Sequence, residues 1–267
     1  MLKDISFLII IPTYNSYHDL RRLRHSLIEQ TFKNWKVIFI DAIKSSSEHK
    51  KWLMDCAQSD SRFFVTEENN KYKGIFPSMS YGLKFASKDD WVIFVGSDDW
   101  FTSLNSLKRV ALIISNSKKQ NLDLLVSQTK FVDREKGRTL RINKVPNFRY
   151  ANKSILSRLM FFGYMPIHQS ACFSYKTLSQ IFPYSEDYYI AADSDLFFRL
   201  LTLKRLNLFF LDETFINIQS GGISHQRLFR RMKEVILIYF DFYNFIFFIP
   251  FLFRYFRKLF TRLRFII

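Results

Sequence analysis

The 267-residue chain is poor in the residues that staple or interrupt a fold. Its two cysteines, Cys56 and Cys172, form no CxxC pair. That argues against a disulfide framework or a cysteine zinc site, and a reducing cytoplasm is the expected setting. Among seven glycines, Gly221-Gly222 is the one adjacent pair, and there is no low-complexity linker or internal repeat. The apolar run Phe7 to Ile11 stops at Pro12 with no small-residue cleavage pattern, so it does not read as a signal peptide. Acidic residues are scarce as well, with 24 Asp+Glu against 40 Lys+Arg and a net charge of +16. An excess of this size points to an anionic partner: nucleic acid, anionic lipid or a phosphorylated substrate.

What is abundant is apolar. Hydrophobic residues make up 48% of the chain, which argues against disorder, and many of the 31 Phe lie near the C-terminus. The first 130 residues alternate between strand-like and helix-like segments. Ile5 to Ile11, Lys36 to Ile40, Arg62 to Val65, Trp91 to Val95 and Leu122 to Val132 read as strands. Tyr17 to Gln30, Glu48 to Gln58, Phe76 to Ala86 and Ser103 to about Asn116 read as helices, with Asn15 or Ser16, Ser47 and Ser103 as N-caps. Continuous apolar runs suit strands buried on both faces, and the alternation predicts βαβ units with a mostly parallel, Rossmann-like sheet flanked by helices. Ligands of such sheets bind beyond the carboxyl ends of the strands, which groups Asn15, Asp41 and Asp98-Asp99. Further on, Ala192 to Leu203 reads as a helix with Leu196, Leu200 and Leu203 on one stripe.

The tail differs in kind. From Arg227 onward there are nine Lys/Arg and two Asp/Glu. Val235 to Phe253 is nearly long enough to span a bilayer, but Asp241 and Asn244 lie within it and Pro250 interrupts it, which argues against a span. After Pro250, Leu252, Phe256, Leu259 and Leu263 share a helical face, and Arg254, Arg257, Lys258, Arg262 and Arg264 fall mostly elsewhere. A basic amphipathic helix of this kind lies in a membrane interface or packs on protein. Arginines interleaved with Phe and aliphatics suit lipid better than a nucleic-acid groove, so no nucleic-acid partner is expected. Residues 1-225 are expected to form one domain, and 226-267 a helical tail peripheral on the cytoplasmic face of the membrane.

Two adjacent carboxylates, Asp98-Asp99, follow the strand ending at Val95. They fit either a solvated turn or a divalent-cation site of hard oxygen ligands for Mg²⁺ or Mn²⁺. A wider series of segments then resembles the family 2 glycosyltransferases, which have the GT-A fold. It comprises Ile11-Pro12-Thr13-Tyr14-Asn15, Asp41, Gly74 to Leu83, Val95-Gly96-Ser97-Asp98-Asp99, His168-Gln169, Ala192-Asp193-Ser194-Asp195-Leu196 with Arg199, and Gly221-Gly222-Ile223-Ser224, in the family's order.

That resemblance implies an inverting enzyme that moves a sugar from a nucleotide-diphosphate sugar to a glycan or lipid-linked acceptor in cell-surface polysaccharide synthesis. It also implies donor contacts from Pro12, Thr13, Tyr14, Asn15, Asp41, Gly74, Met79, Ser97 and Asp98, and metal at Asp98 and Asp99. Asp193 is implied as the catalytic base, with an N-cap role as the alternative. His168, Gln169, Asp195, Arg199 and a loop containing Gly221, Gly222 and His225 are implied near the acceptor or the diphosphate. The loop after Asp41 lacks the family's glycines, and Tyr72, Pro77 and Ser80 stand where it has Asp, Asp and Asn. A non-catalytic GT-A scaffold on a membrane is the alternative function.

Overall fold

The computed structural model describes residues 2, 4–68, 74–221 and 227–263, with side chains to residue 257. Chain order begins β1 (Ser6–Thr13), α1 (Tyr17–Ile28), β2 (Trp35–Asp41), α2 (Ser47–Ser59), β3 (Phe63–Glu67), α3 (Ile75–Gly82) and β4 (Asp90–Phe94). It continues with β5 (Trp100–Phe101), α4 (Ser106–Asn116), β6 (Leu124–Val132), β7 (Thr139–Asn143), β8 (Tyr150–Asn152) and α5 (Lys153–Phe161). The last elements are β9 (Ala171–Ser174), α6 (Tyr175–Leu178), α7 (Ala192–Leu200), β10 (Asn207–Gln219), α8 (Leu228–Tyr243) and α9 (Phe248–Leu263).

One sheet runs β3-β2-β1-β4-β9-β6-β10-β5, with β7 paired to β6 and β8 to β10. The pairs β1–β2, β2–β3, β1–β4 and β6–β10 are parallel, and β9 is antiparallel to both β4 and β6. Along that path only β9 and β5 therefore run against the rest. The expected mostly parallel sheet is present. Both of its faces are buried, which is why β1 is apolar without a break. Leu8 and Ile10 join the cluster under α3, α5, α7 and α8, and Phe7, Ile9 and Ile11 join the one under α1, α2 and α4. Both cysteines are buried free thiols.

The boundaries shift slightly from expectation. Ser46, not Ser47, caps α2, its Oγ accepting from His49 N–H at 3.3 Å. Asn105, not Ser103, occupies the N-cap of α4, and α7 ends at Leu200. In the tail, the break falls at Asn244, whose φ is 50°, and Pro250 sits instead in the first turn of α9, where its missing N–H has no helical partner to lose. Among the described residues no helix is long and apolar enough to cross a membrane.

The tail packs on the domain. Val235, Ile238 and Tyr239 of α8 belong to the core cluster under α7. The Glu234 carboxylate accepts from Ile190 and Ala191 N–H at 2.7 and 2.9 Å, immediately before α7. The backbone of α9 presses on Gly163, where a Cβ would lie 2.6 Å from Arg254 N and Phe253 C. With φ at 82°, this position needs glycine on two counts.

Candidate active site

A cleft of about 660 Å³ opens beyond the carboxyl ends of β1, β4 and β10. Its walls include Pro12, Tyr14, Asn15, Met79, Ser97, Asp98, Asp99, His168, Gln169, Asp193 and Gly221. Sequence reasoning named all of these, and the fold brings them together. It does not bring Thr13, Asp41, Gly74, Asp195 or Arg199 onto the wall. Gly222 and His225, like Tyr72, lie outside the described residues.

At the end of β1, Asn15 adopts a left-handed backbone (φ 47°), which its short amide side chain tolerates. Its Oδ1 accepts from Ser46 N–H at 2.8 Å and ties the loop to the start of α2. Tyr14 is 61% exposed at the cleft rim. Behind the wall, Asp41 Oδ1 accepts from Thr13 Oγ1 at 2.9 Å and Ser45 Oγ at 2.7 Å, with His49 Nε2 3.1 Å away. Its Oδ2 is buried without a hydrogen-bond partner among the described residues.

Asp99 is buried and Asp98 half-buried. Gly96 N–H donates to Asp99 Oδ2 at 2.9 Å, and the Gln219 backbone makes a second such bond. Burial first, and then the neighbouring Asp98 charge, push the Asp99 carboxyl well above the usual range; burial also raises Asp98. Arg22 offsets this in part. Its guanidinium stacks 3.4 Å from the Trp100 ring centroid and donates to Asp98 O and to Gln219 Oε1. The turn is packed tightly enough that a Cβ on Gly96 would meet Asp99 Oδ2 at 2.8 Å and Asp98 Oδ1 at 3.1 Å.

This donor set fits a hard divalent cation: two carboxylates whose ionised forms lack sufficient positive charge nearby. Among the described residues no group of three His, Cys, Asp or Glu is assembled. The remaining coordination positions would fall to water and phosphate oxygens, a usual arrangement for Mg²⁺.

Across the cleft, Asp193 lies in the first turn of α7, whose N-cap is Ala191, so Asp193 is not the cap. Its side chain is one-third exposed, and its Oδ2 stands 3.8 Å from His168 Nδ1. Burial raises its pKa, but His168 and, at longer range, Arg254 outweigh that, and the carboxyl lies below its ordinary value. His168 is buried between the Phe76 and Phe94 rings, with centroids 6.2 and 6.3 Å away. Asp195 and Arg199 pair with each other at 2.8 Å, and Arg199 also donates to the carbonyls of Ile181 and Pro183. Their contacts are structural.

The sequence profile of Glycosyl transferase family 2 matches residues 8–176. The chain belongs to this family. Solved structures with this architecture carry the GT-A fold. Staphylococcus aureus TarS 1-349 with UDP-GlcNAc superposes with a TM-score of 0.65 at 19% identity, over 88% of this chain and 67% of that one. The mannosyltransferase PcManGT of Pyrobaculum calidifontis, in complex with GDP-Man and Mn²⁺, gives 0.62 at 14% identity, over 89% and 63%. Among curated relatives, a PGL/p-HBAD biosynthesis glycosyltransferase of Mycobacterium bovis is 24% identical over 71% of this chain and 67% of its own length. The glycosyltransferase GlyA of Streptococcus pneumoniae is 32% identical over 38% of this chain but only 14% of its own length. A UDP-Glc:α-D-GlcNAc-diphosphoundecaprenol β-1,3-glucosyltransferase of Escherichia coli is 28% identical over 43% of this chain and 44% of its own.

Motif reading of the transferase missed the cations on the cleft wall: Arg134 and Arg141 from the β6–β7 region, and Arg231, Arg254 and Arg257 from the tail. The available signal was the basic excess of the tail. Sequence alone did not show that part of it faces inward.

Proposed function

We propose that the chain transfers a sugar, with inversion, from a nucleotide-diphosphate sugar to a lipid-linked or glycan acceptor at a membrane surface. The observation that carries this reading is one cleft lined by both Asp98-Asp99 and Asp193, the latter 3.8 Å from His168 Nδ1.

The 12–15 loop, with exposed Tyr14, offers a platform for the base. Asp41, buried behind the wall, would support the base side indirectly, by holding Thr13 and Ser45. Met79 and Ser97 are proposed to shape the sugar and ribose side, and Gly74, off the wall, to start the helix that carries Met79. Asp98, less buried than Asp99, would hold Mg²⁺ or Mn²⁺ directly, and Asp99, bonded by Gly96 N–H and the Gln219 backbone, would fix the turn. The cation, when bound, would offset charge on the departing nucleotide diphosphate. The nucleotide-sugar complexes of TarS and PcManGT, the latter with Mn²⁺, support this donor and metal.

Asp193 takes the proton of the acceptor hydroxyl. The hydroxyl oxygen attacks the anomeric carbon, and the bond to the diphosphate breaks with its electron pair leaving on the nucleotide. His168 and the N-terminus of α7 keep Asp193 ionised for this task. Gln169, Gly221, Gly222 and His225 remain proposed contacts to acceptor or diphosphate. Asp195 and Arg199 act only by holding α7 in place.

Membrane attachment rests on an inverted helix. On α9, Phe248, Ile249, Leu252, Phe253 and Phe256 are exposed, whereas Arg254 is buried. A helix with its apolar side outward is suited to the lipid interface. The proposed setting is therefore the cytoplasmic membrane face, with residues 226-267 as the attachment tail.

Turnover of a panel of nucleotide sugars, with and without Mn²⁺ or Mg²⁺, tests the reading. Donor hydrolysis or transfer that disappears with EDTA and returns with metal is the expected result. Absence of both turnover and metal-dependent nucleotide binding overturns it.

A further inference from the structure

The tail places Arg231 from α8 and Arg254 and Arg257 from α9 on the cleft wall. Arg254 is only 8% exposed. Its Nη2 reaches Ser194 Oγ at 3.3 Å, and its Nε and Nη1 have no hydrogen-bond partner among the described residues. A guanidinium stays charged at any physiological pH. Buried with unmet donors, it is costly unless an anion completes it. Asp193 balances this charge only through space: no hydrogen bond joins it to Arg254 among the described residues, its Oδ1 accepting from Ser194 N–H at 2.7 Å and its Oδ2 facing His168.

The position of Arg254 separates it from the diphosphate end of the cleft. The cations acting on Asp98 are Arg22 and Arg134, whereas Arg254 touches the residue next to Asp193. The contact of Gly163 with the α9 backbone fixes this placement. The opposite face of the same helix presents Leu252, Phe253 and Phe256 to the outside. One helix thus offers positive charge to the cleft and apolar surface to its surroundings.

We propose that Arg254, assisted by Arg231 and Arg257, forms a subsite for the phosphate that joins the acceptor sugar to its lipid. This rests on the reading of Asp193 as the residue that receives the acceptor hydroxyl. A sugar whose hydroxyl meets Asp193 carries its phosphate into the guanidinium fork, a geometry suited to bidentate phosphate binding. The lipid then leaves along the exposed face of α9.

Binding without turnover tests the subsite in the full chain. The probes are two soluble glycolipids with the same sugar and the same short prenyl chain, one joined through a diphosphate and one through an uncharged ether. The diphosphate probe is expected to bind roughly 10-fold or more tightly, as two charge-assisted hydrogen bonds allow. Arg254→Gln is expected to bring the two affinities together. The double variant Arg231→Gln/Arg257→Gln, which alters no buried position, narrows the gap and carries the test if Arg254→Gln does not fold.

Equal binding of both probes by the unmodified chain overturns the proposal. So does a parallel fall in nucleotide-diphosphate affinity in the arginine variants, which would assign these residues to the donor. Inorganic pyrophosphate binding as tightly as the glycolipid would make this a general phosphate site and overturn the lipid assignment. A phosphate preference that the variants abolish, in a chain that transfers no sugar from any donor, leaves the subsite standing and removes the catalytic reading instead.

Discussion

Asp193 stands where burial and local charge oppose each other. Burial favours the neutral acid, and the nearby His168 and Arg254 favour the carboxylate and prevail. The folded pKa therefore lies below the unfolded one. The ionised group contributes stability above its ordinary pKa, and that contribution is lost as pH falls through the lowered value. Activity follows the same direction: the acid limb of the kcat profile lies below the ordinary Asp range, and in His168→Gln it moves to higher pH. An unmoved limb would show that His168 does not tune the base. Asp193→Asn is expected to reduce kcat by roughly 10²- to 10⁴-fold with nucleotide binding retained, measured by single-turnover transfer and titration. A non-catalytic scaffold would show no such loss. At this scale the sequence was legible where a residue sits at an element end. Asp98-Asp99 follows β4 and Asp193 opens α7, positions that chain order showed, whereas their proposed roles came from the family resemblance. Asp41 shows the limit: its position at the carboxyl end of β2 was legible, but its burial behind Thr13 and Ser45 depends on α2 packing against the loop.

Elements were legible in proportion to their periodicity. β1, β2 and β4 contain the apolar runs 7–12, 37–40 and 91–94, and α1 carries Leu20, Leu23 and Leu27 on one buried stripe. β9 was not legible, because four residues carry no sign of direction, and its antiparallel insertion between β4 and β6 is set by partners far away in sequence. The docking of the tail was equally hidden. Glu234 accepts the backbone N–H groups ahead of α7 across more than 40 residues of chain, and Gly163 admits α9 by lacking a Cβ. Gly163→Ala tests this contact. The added methyl meets α9 backbone at 2.6 Å and is strained at a φ of 82°. A cost of about 1–3 kcal/mol is expected from overpacking together with backbone strain. Thermal denaturation should register it, and arginine-dependent binding in the cleft should weaken beyond what the melting shift explains. Wild-type melting in that variant would show that the α9 contact is loose.

For the whole molecule, the charge balance took its meaning from the fold. A net charge of +16 left several anionic partners open. The structure divides that charge, placing Arg231, Arg254 and Arg257 on the cleft wall while Phe248, Ile249, Leu252, Phe253 and Phe256 of α9 are exposed. Replacing Phe248, Leu252 and Phe256 together with Ser is expected to lower partition into anionic vesicles by at least about 100-fold, from the apolar area withdrawn. Flotation or sedimentation measures it, and unchanged partition would remove the membrane assignment of this face. Metal-dependent nucleotide binding should survive, because Asp98 and Asp99 lie in the turn between β4 and β5 and not on the tail.

The two-sided character of α9 also carries a thermodynamic obligation. If vesicles raise the affinity of the cleft for a phosphorylated acceptor by some factor, that acceptor must raise the affinity of the protein for vesicles by the same factor. Gly163 and Glu234 are expected to set how large the factor is, since they join α9 and α8 to residues beside the cleft. A rigid joint would make residence at the bilayer depend on whether the cleft is loaded, so that substrate supply sets where the transferase is found as well as how fast it works.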